Sequence, residues 1–110
     1  MIVTTSNDVP GHSIVDCIGI IRGIVVRSPR IGQGIMGGLK QIVGGNIEAY
    51  ARVCEAAREE AFERMVLHAR EHGADAVVAM RYDATEFSPG VTEVLAYGTA
   101  VKLARDEPVA

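Results

Sequence analysis

The sequence predicts an α+β fold: a mostly antiparallel sheet of about four strands packed on one long helix, with a second, short helix flanked by glycines. Three observations predict it. Apolar residues recur at threes and fours from Ile47 to about His72. Runs rich in β-branched residues stand on either side of that stretch, separated by Gly, Pro, Asn and Asp. The length of 110 residues, with 48% hydrophobic and 23% charged residues, fits one domain with one core.

Taken in order, Ile2 to Thr5 reads as a short strand closed by the turn Asn7-Asp8-Val9-Pro10-Gly11. Ser13 to Arg27 follows as a long strand, apolar on both faces and therefore expected at the centre of the sheet. Gly19 and Gly23 within it predict a bend, a bulge or the close approach of another backbone, and Pro29 ends it. Residues 31 to 45 are rich in glycine. Ile35, Met36, Leu39, Ile42 and Val43 have the spacing of a short amphipathic helix that is stable only when docked.

The long helix is the firmest element. Asn46 is a good N-cap, Glu48 favours the helix dipole, and Gly73 supplies the stop. Its apolar stripe is Ile47, Tyr50, Cys54, Ala57, Ala61, Met65, His68 and His72, broadened by Val53, Phe62, Val66 and Ala69. Ala76 to Asp83 and Val91 to Leu103 then read as an antiparallel hairpin around Ser88-Pro89-Gly90, and Ala104 to Ala110 as a frayed tail of the single domain.

In the last strand Val94, Ala96, Gly98 and Ala100 make a small-residue face that lets a helix approach closely. The opposite face, Leu95, Tyr97, Thr99, Val101 and Leu103, is too apolar to leave in water, and one long helix covers one face only. The simplest cover is another copy of the chain, so a homo-oligomer is expected; the alternative is that the N-terminal strand and short helix fold over that face.

Composition removes several function classes. A net charge of −3, no Trp and five Phe and Tyr argue against nucleic acid. The most apolar run, Ile18 to Val26, is interrupted by Arg22 and too short to span a bilayer, and the first residues lack the pattern of a signal peptide; a cytoplasmic protein without membrane partners is expected. Cys17 and Cys54 have no CxxC spacing and read as two buried thiols in a reducing compartment.

Chemistry is sparse. Gly32-x-Gly34-x-x-Gly37 matches the letters of a dinucleotide fingerprint, but Pro29 and the short following helix deny it the strand–turn–helix context; a docking loop, or an anion-binding nest, remains. His68 and His72 stand four apart on one helix face, a spacing that lets two imidazoles reach one divalent metal, although two nitrogens leave the site incomplete. Arg22 and Arg81 each lie inside an apolar strand. A buried guanidinium must be paired, so an ion pair at a subunit contact or an anionic ligand is expected, with Asp16, Asp83 and the helix glutamates as partners. Asp83, Glu86 and Glu93 stand together near the hairpin mouth, either as a solvated tip or as acid/base or cation-holding carboxylates.

Several motifs resemble the YbjQ-like family. They are Ile18-Gly19-Ile20-Ile21-Arg22-Gly23, Gly44-Gly45 with Tyr50, Ala57-Arg58 with Ala61, Met65 and Ala69, Gly73-Ala74-Asp75-Ala76-Val77-Val78 with Arg81, and Ala96-Tyr97-Gly98-Thr99-Ala100-Val101. They agree in order and spacing from about Ile2 to Leu103. The resemblance implies a dodecin-like subunit in a homopentamer, in an uncharacterised family carrying a heavy-metal-binding label. The sequence lacks the Cys-rich or Cys/His-rich motif that label would need, and the tryptophan on which dodecins stack flavin. Together these readings make Arg22, Arg81, Tyr97 and Thr99 the candidate ligand-binding or interface residues. The leading expectation is a non-enzymatic oligomer that binds a small ligand or metal. An enzyme with a composite site at the subunit junction and a purely structural or partner-binding ring are the alternatives.

Overall fold

A computed structural model of the chain describes residues 1–27 and 47–107. The elements are β1 (Ile2–Val3), β2 (His12–Arg27), α1 (Ile47–Glu71), β3 (Ala76–Ser88) and β4 (Val91–Arg105). The expected short helix at Ile35 to Val43, the glycine loop around it and the Asn46 cap lie outside the described residues.

The sheet has the order β1-β3-β4-β2 and is mixed: β3 and β2 flank β4 antiparallel, while β1 runs parallel to β3. This corrects the expected place of β2. The central strand is β4, which is bonded on both sides; β2 is an edge. Its two apolar faces have different causes: Ile21, Gly23 and Val25 are buried under the helix, whereas Ile20 and Val15 are 75% and 62% exposed.

β1 is shorter than expected because the ladder with β3 breaks at a bulge. The register slips between Val78 and Arg81, and Ala79 there takes a left-handed φ of 53°. The N-terminal segment holds the bulge: the Ala79 N–H donates to the Ser6 carbonyl (2.8 Å) and the Met80 N–H to that of Thr4 (3.0 Å). The hairpin is longer than expected, β3 running to Ser88. From Arg81 to Ser88 every residue is exposed, so the burial alternation that marks a strand is missing there. The C-terminus is also more ordered than a tail from Ala104 would be. β4 continues to Arg105, the Asp106 N–H donates to the Gly11 carbonyl (3.0 Å), and Ser13 Oγ donates to Asp106 Oδ1 (2.5 Å).

The core lies between α1 and one sheet face. Ala57, Ala61, Met65 and Ala69, four residues apart, are buried against Ile21, Val25, Val77, Val94, Ala96 and Ala100. Alanines on the helix and small residues on the sheet bring the backbones close, as expected of the Val94–Ala100 face. The limit is reached at Gly23, where a Cβ would overlap the Ala61 carbonyl oxygen and the Met65 amide nitrogen. Gly19, with φ 139°, sits at a register shift of β2, the bulge its position predicted. The helix ends as expected: Gly73 takes φ 72°, its N–H donates to the Arg70 carbonyl (3.0 Å), and the Ala74 N–H to that of Ala69 (3.1 Å). Among the described residues no helix is long and apolar enough to cross a membrane.

Candidate functional site

The face of the sheet away from α1 carries most of the predicted site residues. Cross-strand partners share a face, and Arg22 stands opposite Tyr97, which in turn stands opposite Arg81. The three form one row across β2, β4 and β3. The neighbouring rows place Ile20 opposite Thr99, Thr99 opposite Val78, Ile24 opposite Leu95 and Leu95 opposite Asp83. Residues far apart in sequence therefore meet on one surface, apolar at Ile20, Ile24, Leu95 and the Tyr97 ring, and cationic at Arg22 and Arg81. Part of this face is covered at one end, where Val9 closes over Ala76, Val78 and Val101 with Leu103 beside them. The N-terminal segment thus covers some of the apolar strip, and nothing among the described residues covers the remainder.

Neither arginine is the buried, ion-paired group expected. Both are exposed, and among the described residues neither forms an ion pair. β2 is an edge strand and β3 has left the helix cover at Arg81, so water reaches both guanidiniums. Arg81 Nη1 is held instead by two carbonyl acceptors, Thr5 (2.9 Å) and Met80 (2.8 Å). The bulge at Ala79 brings Arg81 into register with Tyr97. Nothing in the sequence marks it, because alanine does not advertise a left-handed φ as glycine does.

His68 and His72 are brought together, with ring centroids 4.7 Å apart in a T-shaped arrangement, but not as a chelate. His68 Nδ1 accepts a hydrogen bond from the Arg22 N–H (3.1 Å), which leaves the neutral ring its proton on Nε2. His72 Nδ1 lies 2.9 Å from the His68 carbonyl and must donate to it. One free imidazole lone pair remains between the two rings. Among the described residues no group of three or more His, Cys, Asp or Glu side chains is arranged to hold a metal ion. The described residues do not fit a metal centre. The stripe that carried His68, His72 and Cys54 in the sequence turns on the 57–61–65–69 row, which leaves these three at its margin.

The hairpin carboxylates do not cluster. Glu93 stands opposite Thr85 and Glu86 opposite Thr92, so Glu86 points to the other face from Asp83 and Glu93. Asp83 Oδ1 accepts from the Ala84 N–H (2.9 Å). Both cysteines are free and exposed, correcting the expectation of buried thiols: Cys17 lies on the edge strand and Cys54 beside the core stripe.

Helix side chains also reach the open edge of β2. Arg64 Nη1 donates to the Ile24 carbonyl (2.7 Å) while its Nη2 pairs with Glu60 (2.9 Å), and Glu60 also pairs with Arg27. With the His68 bond to Arg22, α1 therefore fastens to the edge through two neighbouring backbone groups.

Among the described residues, fold and site together define a small α+β module, a long helix on a four-stranded mixed sheet, with an arginine-bearing sheet face that they leave uncovered. The chain belongs to the YbjQ-like family, whose model, described as "Putative heavy-metal-binding", matches residues 1–104. A UPF0145 protein of Legionella pneumophila strain Paris is 58% identical over 101 residues, covering 92% of this chain and 96% of its own. A UPF0145 protein of Burkholderia orbicola is 52% identical over 104 residues, covering 94% and 87%. Among solved structures, a protein of unknown function of the DUF74 family from Pediococcus pentosaceus shares the fold. Its TM-score is 0.60 at 16% identity, over 94% of this chain and 98% of that one.

Proposed function

We propose that this protein is a homo-oligomeric small-ligand-binding protein, assembled through the open sheet face and working by binding rather than catalysis. One observation carries the reading: an apolar surface at Ile20, Ile24, Leu95 and Tyr97 continues to the 16-residue edge strand β2. Ile20 at 75% exposure, with Val15 at 62%, is a cost that a second copy removes at roughly 25 cal/mol per Å² of apolar area. The YbjQ-like resemblance favours a dodecin-like pentamer as the assembly. The face supplies hydrogen-bond donors, Arg22, Arg81, Tyr97 and Thr99, which suit holding an anion at a junction better than taking up a proton. Two free thiols, Cys17 and Cys54, favour a reducing compartment, here the cytoplasm.

Analytical ultracentrifugation tests the assembly. The wild-type chain is expected to sediment as one discrete oligomer, and Ile20→Lys with Ile24→Lys as a folded monomer of unchanged circular dichroism. A wild-type chain that stays monomeric at all concentrations overturns the reading.

A further inference from the structure

On the helix side of the sheet, away from the open face, the core stops at Ala57 and Val94, and a cavity of about 290 Å³ begins. We infer that this cavity is a binding site for an amphipathic monoanion, a carboxylate on a short apolar body. The inference rests on the small-ligand part of the reading above and adds the ligand's class. It does not use the assembly surface.

The walls give the apolar body. Val53 and Ala57 of α1 face Ala84 of β3 and Val94 of β4, and the last two are direct cross-strand partners. A volume at the lower end of the range for small-molecule sites suits a ligand of about ten heavy atoms. Charge comes from Arg27 and Arg58, which border the same space. Arg58 makes no ion pair among the described residues; its guanidinium lies 5.7 Å from the Tyr82 ring centroid, held by a π face that does not neutralise it. Glu55 and Glu59 border a separate groove on the other side of Arg58, with Phe62 and Tyr82. Arg27 shares the single carboxylate of Glu60 with Arg64, and its Nε is buried with no acceptor among the described residues. That Nε has almost no accessible surface, so a ligand in the cavity meets the charge of Arg58 first. A cation would meet two guanidiniums, and a neutral ligand would leave Arg58 uncompensated.

Cys54 lines the cavity and reports its occupancy, since a seated ligand shields the thiol. The experiment uses the full chain carrying Cys17→Ser and titrates octanoate, 1-octanol and octylammonium. Calorimetry and the rate of Cys54 modification by a disulfide reagent are the readouts, with native mass spectrometry alongside. Octanoate is expected to bind saturably, to slow Cys54 at least about tenfold and to outcompete octanol about tenfold, the worth of one charge-assisted hydrogen bond. Octylammonium is expected not to bind. Arg58→Gln should reduce octanoate to the level of octanol. Ala84→Leu fills the cavity from an exposed strand position, where the fold tolerates it, and should abolish both. Octanoate binding no better than octanol, or surviving Ala84→Leu, overturns the site. Failure to bind by an intact oligomer removes the cavity site alone, whereas a monomer that still binds octanoate removes the assembly alone.

Discussion

The two faces of one sheet are built from the same strands and behave in opposite ways. On the helix side, Ile21, Val25, Ala96 and Ala100 are at most 1% exposed, and the glycine at 23 lets α1 lie almost directly on the β2 backbone. On the other side, one residue along β2, Ile20, Arg22 and Ile24 are exposed. The difference is not hydrophobicity, because β2 is apolar on both faces. In β4 it is side-chain size: Val94, Ala96, Gly98 and Ala100 face the helix and permit close approach, while Leu95, Tyr97 and Thr99 face away; in β2 isoleucines stand on both faces and the helix covers only one of them.

Breaking the covered face should have the largest effect. Gly23→Ala sets a methyl group against two helix backbone atoms that cannot yield, and is expected to cost about 3 kcal/mol in urea unfolding. A cost below about 1 kcal/mol would mean that the helix sits further from β2. The fastening at the edge should be worth less. His68→Ala leaves the Arg22 N–H without its acceptor and is expected to cost about 1 kcal/mol and to speed amide exchange at Arg22. Unchanged exchange there would show that the bond does not persist in solution. The smallest effect is expected at the bulge behind Arg81. Ala79→Gly relieves a left-handed φ and should stabilise the fold by up to about 1 kcal/mol, the gain reduced by the freer unfolded chain. A loss there would mean that the Ala79 methyl group packs in a way the strain argument ignores.

The sequence made the covered face readable because its signals are local and redundant. Ala57, Ala61, Met65 and Ala69 recur at helical spacing, the small residues of β4 alternate with large ones, and Gly19 and Gly23 announce a bulge and a close approach. The place of β2 was not readable. An apolar run on both faces is the mark of a central strand, and it is equally the mark of an edge strand whose outer face awaits another molecule. The candidate residues Arg22, Tyr97 and Arg81 were individually visible as polar groups in apolar strands, but their alignment depends on strand order and on a bulge at an alanine. The cavity was invisible for a similar reason. Arg27, Arg58 and Ala84 come from three elements, and no spacing in the chain relates them.

The ties from His68 and Arg64 to the Arg22 amide and the Ile24 carbonyl have a consequence for how any further strand could join the sheet. An edge recruits a new strand through its outward backbone groups, and around residues 22 to 24 those groups are already spoken for by the protein's own helix. A strand pairing along β2 cannot use these two groups without displacing the helix side chains. That displacement limits the registers a joining strand can take and guards against the endless stacking to which a bare edge of this length is prone.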